Sequence, residues 1–259
     1  MKKVINLKPY KNRAFDEAKR IVELLRSKGK KAFIVGGSVR DTLLGKEPEE
    51  YDIATSATPE EVCSYFPNTV EVGASFGVII VLVDGIKFEV ATFRREESYS
   101  DGRHPDEVKY SAEESEDVLR RDFTINGLLY DPVSEQVIDY VEGTADLEKK
   151  VIRTIGHPLK RFTEDKLRMM RAVRFSCRLD YEIDKGTATA LKEHAADIKH
   201  VSAERIRDEL VSIITQKNPG SGLRTLSEYG LLEHILPEVD KMRDVEQPPQ
   251  FHPEGDVFV

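Results

Sequence analysis

The chain has 259 residues, 39% of them hydrophobic, and a formal net charge of −8, enough apolar material for one large or two ordinary domains with true cores. No long apolar run provides a membrane-spanning helix, and Met1-Lys2-Lys3 leads into charged rather than secretory sequence. Cys63 and Cys177 lie far apart without metal-ligand company, which suits a reducing cytoplasm better than a disulfide framework; the acidic balance argues mildly against a nucleic-acid partner, although local charge outweighs the sum.

Ala14, Ala18, Ile21, Val22, Leu24 and Leu25 are spaced for a helix over residues 14–29. Ala32 to Val35 reads as a short buried strand, which Gly36-Gly37 turns sharply. Ser38 is expected to cap the next helix, whose apolar stripe is Val39, Leu43 and Leu44. A strand, a glycine turn and a helix start present backbone N–H groups to an anion, and Arg40 adds a fork that matches phosphate oxygens. A Gly-Gly turn alone is equally a plain structural turn. Glu50 and Asp52 follow, two apart, so on one strand they would project to the same side. Carboxylates forced together repel unless a divalent cation sits between them. By itself the pair also reads as a solvated strand start after the polar run Lys46 to Glu49.

Thr58-Pro59-Glu60-Glu61 opens a helix with a cap, a proline at the first position and carboxylates in the first turn. Asp84-Gly85, between the apolar runs Phe76 to Val83 and Ile86 to Phe93, signals a hairpin. Glu89 is a lone acid in that second run, either exposed or kept charged by a nearby metal. Residues 94–117 are polar and read as a loop, expected to be mobile, that ends in a helix from Glu113 to Leu119. In Arg120-Arg121-Asp122-Phe123-Thr124-Ile125-Asn126 the acid and arginines suit a surface ion pair, whereas Asp122, Thr124 and Asn126 on one strand face suit ribose and phosphate groups. Val137 to Val141 is another strand.

From about residue 156 the pattern becomes helical. A helix is expected from Thr163, with Leu167, Met170, Val173 and Cys177 as its stripe. Asp165 and Arg168, three apart, lie on a polar flank that Arg171 continues, close enough to interact. Arg174 falls nearer the apolar side, either buried against a partner or reaching a ligand. Further helices are expected at 187–198, 203–216 and 220–230.

Together these motifs resemble the class II tRNA nucleotidyltransferase and bacterial poly(A) polymerase family. The matching segments are Gly36 to Asp41, Asp52 to Thr55, Glu89 to Arg94, Arg120 to Asn126 and Glu164 to Phe175. The resemblance implies an α/β plus all-α chain: a polymerase-β-like head with a mixed sheet over residues 1–155, a helical neck over 156–245, and an extended end at 246–259. It further implies template-independent addition of C or A from CTP or ATP to the 3′ end of tRNA, with pyrophosphate released by a two-metal mechanism using Mg²⁺ in the cytoplasm. Gly37 and Arg40 would bind triphosphate. Glu50 and Asp52 would hold the metal, with Glu89 a third carboxylate of the site. Arg121 and Asp122 would contact phosphate and sugar. Asp165 and Arg168 would read the base edge, supported by Arg171 and Arg174.

Two departures stand out. The family's metal motif is Asp-x-Asp, and its first member here is Glu50, whose extra carbon shifts the oxygen by about one C–C bond. Relatives also continue past the neck, and His252-Pro253-Glu254-Gly255-Asp256 resembles a lead-in to an HD domain, so a longer protein is expected. The alternatives are a poly(A) polymerase of the same family and an RNA- or nucleotide-binding protein whose catalysis is weakened by Glu50.

Overall fold

The computed structural model describes residues 2–73, 77–95 and 109–243, with 245, 247, 248 and 250. The central part of the 94–117 stretch and nearly all of 246–259 lie outside the described residues. The chain divides into two compact units, Met1–Lys149 and a second from Lys150 onward.

Among the described residues of the first unit, eight strands form one mixed sheet: β1 (Lys3–Asn6), β2 (Ala32–Val35), β3 (Asp52–Thr55), β4 (Thr69–Gly73), β5 (Val78–Val83), β6 (Ile86–Thr92), β9 (Leu128–Asp131) and β10 (Gln136–Asp139), in the order β1-β10-β9-β2-β3-β6-β5-β4. Only β3 and β6 run parallel; the other neighbours are antiparallel. The hairpin falls where the sequence places it, with Asp84 and Gly85 both at positive φ between β5 and β6. A minor ladder, β7 (Arg94–Arg95) with β8 (Lys109–Tyr110), stands apart.

Helix α1 (Arg13–Ser27), capped by the Asn12 side chain, buries Phe15, Ile21, Val22 and Leu25. Phe15 meets Tyr51 and Tyr130 with ring centroids 5.9 and 6.3 Å apart. A separate apolar cluster joins Phe33, Val35, Ala54, Phe93, Val118, Leu129 and Ile138. All four residues of β2 are buried, as expected for an apolar run at the centre of a sheet covered on both faces.

Helix α3 (Pro59–Tyr65) starts at the expected Thr58 cap, which the Glu61 side chain closes into a capping box. Helix α4 (Glu114–Leu119) precedes the arginine pair, and α5 (Gly143–Lys149) ends the unit. Thr124–Asn126 is a 3₁₀ turn rather than a strand, so Asp122, Thr124 and Asn126 do not share a strand face. A buried polar frame holds this turn: Thr124 donates to Asp146 (2.7 Å), and Asp139 accepts from the backbone of Val141, Gly143 and Thr144. A side-chain carbon on Gly143 would stand 2.1 Å from the Thr124 carbonyl oxygen. Gly143→Ala is accordingly expected to destabilise the chain by about 3 kcal/mol, since a buried backbone carbonyl must shift; chemical denaturation checks this.

The second unit is helical: α6 (Pro158–Glu164), α7 (Arg168–Leu179), α8 (Lys185–His194), α9 (Ala203–Ile214), α10 (Pro219–Glu228), α11 (Leu232–Ile235) and α12 (Pro237–Asp240). Two short strands, β11 (Val151–Ile152) and β12 (Glu182–Ile183), pair in parallel. Met169, Met170, Ala172 and Val173 of α7 are buried. The helix expected from Thr163 is in fact two. Pro158 starts α6, Asp165 is extended at its end, and the Asp165 carboxylate accepts the Leu167 N–H at 3.1 Å. An aspartate that engages the backbone two residues on favours a turn over a continuing helix. Thr163 lies inside α6 and bonds back to Leu159. Among the described residues no helix is long and apolar enough to cross a membrane.

Candidate active site

In the first unit, the Gly36-Gly37 turn lies between β2 and the short helix α2 (Gly37–Leu43). Gly36 takes φ 73° and ψ −132°, a conformation costly for any residue with a β-carbon. Ser38 does not cap α2: its hydroxyl donates back to the Val35 carbonyl at 3.0 Å, and Gly36 occupies the cap position.

Asp52 opens β3 and pairs with Val35, the last residue of β2, so it emerges beside the glycine turn. A carbon added to Gly36 would sit 3.6 Å from Arg121 Nη1 and 3.9 Å from Asp52 Oδ2. Turn, carboxylate and guanidinium thus share one spot. Because β3 and β6 pair in parallel with Ile53 opposite Val90, Asp52 lies level with Glu89. Glu50 precedes the strand rather than belonging to it, and both Glu50 and Glu89 are exposed. The three carboxylates still share a field. Burial, Glu89 and Glu50 raise the Asp52 carboxyl to about 6, against a smaller opposing effect of Arg121.

Arg40 and Arg121 are differently placed. Arg40 is buried, at 3% exposure. Its guanidinium donates to Asp41 (2.8 and 3.0 Å) and to the Asn126 side chain (2.8 Å). Asn126 in turn donates to Asp122 at 3.3 Å, and Asp122 also accepts the Phe123 N–H. Arg40 and Asp122 therefore belong to one buried network that braces the glycine turn against the 3₁₀ turn. Arg121 does not pair with the adjacent Asp122. It forks onto Asp117 of α4, as does Arg120. Asp117 was not a candidate in the sequence, although its positions three and four before the two arginines are those of helical neighbours.

In the second unit, Asp165 and Arg168 do not pair with each other, because the break between α6 and α7 removes the shared helical face. Asp165 is held by Arg205 of α9, at 3.1 and 3.0 Å to its two oxygens. Arg168 donates to Glu164 (3.0 Å) and to the Arg161 carbonyl (3.2 Å). Arg205 lies 40 positions from Asp165, beyond any local spacing rule. Arg171 stacks over Phe175 at 5.7 Å. Arg174, half-buried, stacks over the same ring at 4.6 Å, with Nε 2.7 Å from Glu209 Oε2.

A divalent cation is compatible with the Asp52 cluster. A partly buried carboxyl raised to about 6 beside two further carboxylates is a negative site in want of a counter-charge. Among the described residues no three acidic, histidine or cysteine side chains converge as a ready cage.

Residues 32–153 match the Poly A polymerase head domain, and residues 180–243 match the probable RNA and SrmB-binding site of polymerase A. A curated CCA-adding enzyme of Limosilactobacillus reuteri is 43% identical over 220 residues, covering 85% of this chain and 54% of that protein. The crystal structure of the Bacillus stearothermophilus CCA-adding enzyme in complex with CTP is similar with a TM-score of 0.82 at 36% identity, covering 90% of this chain and 57% of that one. The Thermotoga maritima CCA-adding enzyme complexed with tRNA-CCA gives 0.76 at 25% identity, over 91% and 56%. The chain spans about half the length of the curated relatives it matches. Its mixed-sheet head, helical second unit and ordered motifs show that this chain belongs to the class II tRNA nucleotidyltransferase and poly(A) polymerase family.

Proposed function

We propose that this chain carries the head and neck of a CCA-, CC- or A-adding enzyme, which extends the 3′ end of tRNA from CTP or ATP without a template. One observation carries the reading: Asp52, raised to about 6 among Glu89, Glu50 and Arg121, stands against a glycine turn in a chain similar to proteins solved with CTP, ATP and tRNA.

In the reaction, the RNA 3′-oxygen bonds to the α-phosphorus, the bond to the bridging α–β oxygen breaks, and pyrophosphate leaves. The family's chemistry takes a divalent metal, for which we propose Mg²⁺, held by Asp52 and Glu50 with Glu89 alongside. When bound, the cation lowers the pKa of the attacking hydroxyl and offsets charge on the triphosphate. Gly37 allows close approach of the phosphates, Arg121 offers them a positive edge, and the network of Arg40, Asn126 and Asp122 keeps the turn rigid. Arg40 thereby supports the site from beneath. In the neck, Asp165 offers acceptors to the exocyclic amine of cytosine or adenine, and Arg168, the first residue of α7, offers donors to the neighbouring ring nitrogen or carbonyl. Arg171 and Arg174, both stacked on Phe175, support the nucleotide from the same helix. The residues 1–155 and 156–245 serve as head and neck, and tRNA as substrate places the work in the cytoplasm.

Labelled CTP or ATP, Mg²⁺ and tRNA lacking its 3′ end test this reading. Incorporation is expected; intact nucleotide and RNA binding without incorporation overturns it in favour of a binding protein. Glu50→Asp is expected to keep or improve turnover, because Glu50 is exposed and lies outside the strand, where a shorter acid can still reach a solvated cation. A loss of more than about tenfold in kcat would show that the longer side chain is required.

A further inference from the structure

We infer that Asp117 is a positioning residue that holds the Arg121 guanidinium off Asp52 and so keeps that carboxylate open to a divalent cation. The inference rests on the metal reading given above. Asp117 is fully buried, at 0% exposure. Its Oδ2 accepts from Arg121 Nε at 3.3 Å and Nη2 at 3.0 Å, a two-pronged grip from one helical turn earlier. Its Oδ1 accepts from Arg120 Nε at 2.8 Å and from the Arg94 backbone N–H at 3.4 Å. Burial alone would raise this carboxyl, yet the two guanidiniums outweigh it and hold it below the usual carboxylate range.

The grip decides which edge of Arg121 faces the site. Nε and Nη2 are engaged by Asp117, so Nη1 is the atom near the glycine turn and Asp52. Asp52 already feels this charge, and it stands in the combined field of Glu89 and Glu50. A guanidinium released from Asp117 therefore has a second carboxylate within reach and every electrostatic reason to pair with it. A bidentate arginine–carboxylate pair would occupy the lone pairs that a cation needs. Asp117 thus prevents the site from closing on its own arginine. Arg121 is left close enough to meet substrate phosphate but too constrained to neutralise Asp52.

Mn²⁺ binding to the whole chain, read by the loss of free-ion electron paramagnetic resonance signal without nucleotide, tests this independently of turnover. Asp117→Asn, nearly isosteric, is expected to weaken Mn²⁺ binding about tenfold, the scale of one charge-assisted hydrogen bond. Asp117→Asn combined with Arg121→Gln should recover binding to within about threefold of Arg121→Gln alone, because the competing charge is gone. Asp117→Glu, which keeps the grip, should stay within about threefold of the unaltered chain. Circular dichroism confirms that each variant is folded. Unchanged binding in Asp117→Asn, no recovery in the double variant, or an Asp117→Glu as weak as Asp117→Asn would each overturn the inference. If Asp52→Asn binds Mn²⁺ as well as the unaltered chain, the metal reading itself has failed.

Discussion

Asp52→Asn is expected to remove nucleotide addition while making the metal-free protein more stable. The two effects share one cause. The folded chain holds Asp52 where burial, Glu89 and Glu50 oppose its charge, lifting the carboxyl from 3.8 to about 6. Such a rise corresponds to roughly 3 kcal/mol, and partial solvent access reduces it to about 2. The sign follows from linkage. Below pH 4 the carboxyl is protonated in folded and unfolded chains alike, and asparagine changes little. Between pH 4 and 6 the folded chain keeps a proton that the unfolded chain has lost, so the native protein loses stability relative to the variant as pH rises. Above pH 6 the carboxylate is ionised in both states, and the variant keeps its full advantage of about 2 kcal/mol. Turnover should fall by about a thousandfold or more, because loss of a metal-holding carboxylate removes several kcal/mol of transition-state stabilisation. Denaturation at pH 4 and pH 8, with and without Mg²⁺, reads both. Mg²⁺ should stabilise the native chain at pH 8 and leave the variant unmoved.

Asp165→Ala should relax base choice without unfolding the neck. The Asp165 carboxylate is about one-fifth exposed, so truncation leaves no large cavity. Its Oδ1 accepts from Leu167 and Arg205, and its Oδ2 accepts from Arg205. A carboxylate has about four acceptor positions, so Oδ2 retains capacity for an exocyclic amine. UTP places O4 where CTP has that amine, and GTP places O6 where ATP has one. Two acceptors face to face leave a desolvated charge unpaired, which is a strong basis for rejection. The ratio of kcat/KM for CTP over UTP is expected to fall by about a hundredfold in Asp165→Ala. Asp165→Asn should go further and admit UTP, since its amide can turn a donor toward O4. An unchanged ratio in both variants would show that other groups choose the base.

The parts of the fold that local rules govern were legible in the sequence. The Thr58-Pro59 helix start, the Asp84-Gly85 hairpin and the α7 stripe depend on neighbours within a few residues. The ordered motifs named the family, and Asp52 beside the glycine turn follows from the short strand on either side. What the sequence hid depends on tertiary partners. Arg40 looks like an exposed phosphate fork until Asn126, 86 positions away, claims it. Asp165 and Arg168 look like a helical pair until the break after Glu164 separates them and Arg205 arrives from α9. Glu50 and Glu89 are both exposed, and it takes the parallel pairing of β3 with β6 to set Glu89 level with Asp52, where both charges act on it. Asp117 carried a local signal in its spacing before two arginines, but its burial, which makes it a rigid anchor, comes only from the packing of α4.

The most direct test of C and A addition by this chain offers all four nucleoside triphosphates at equal concentration, with Mg²⁺, to tRNA ending before its first C, after one C and after CC, and sequences the products. Extension by C and A alone is expected, with Asp52→Asn inert in the same tubes. Robust incorporation of U or G by the unaltered chain, or extension by Asp52→Asn, would contradict it.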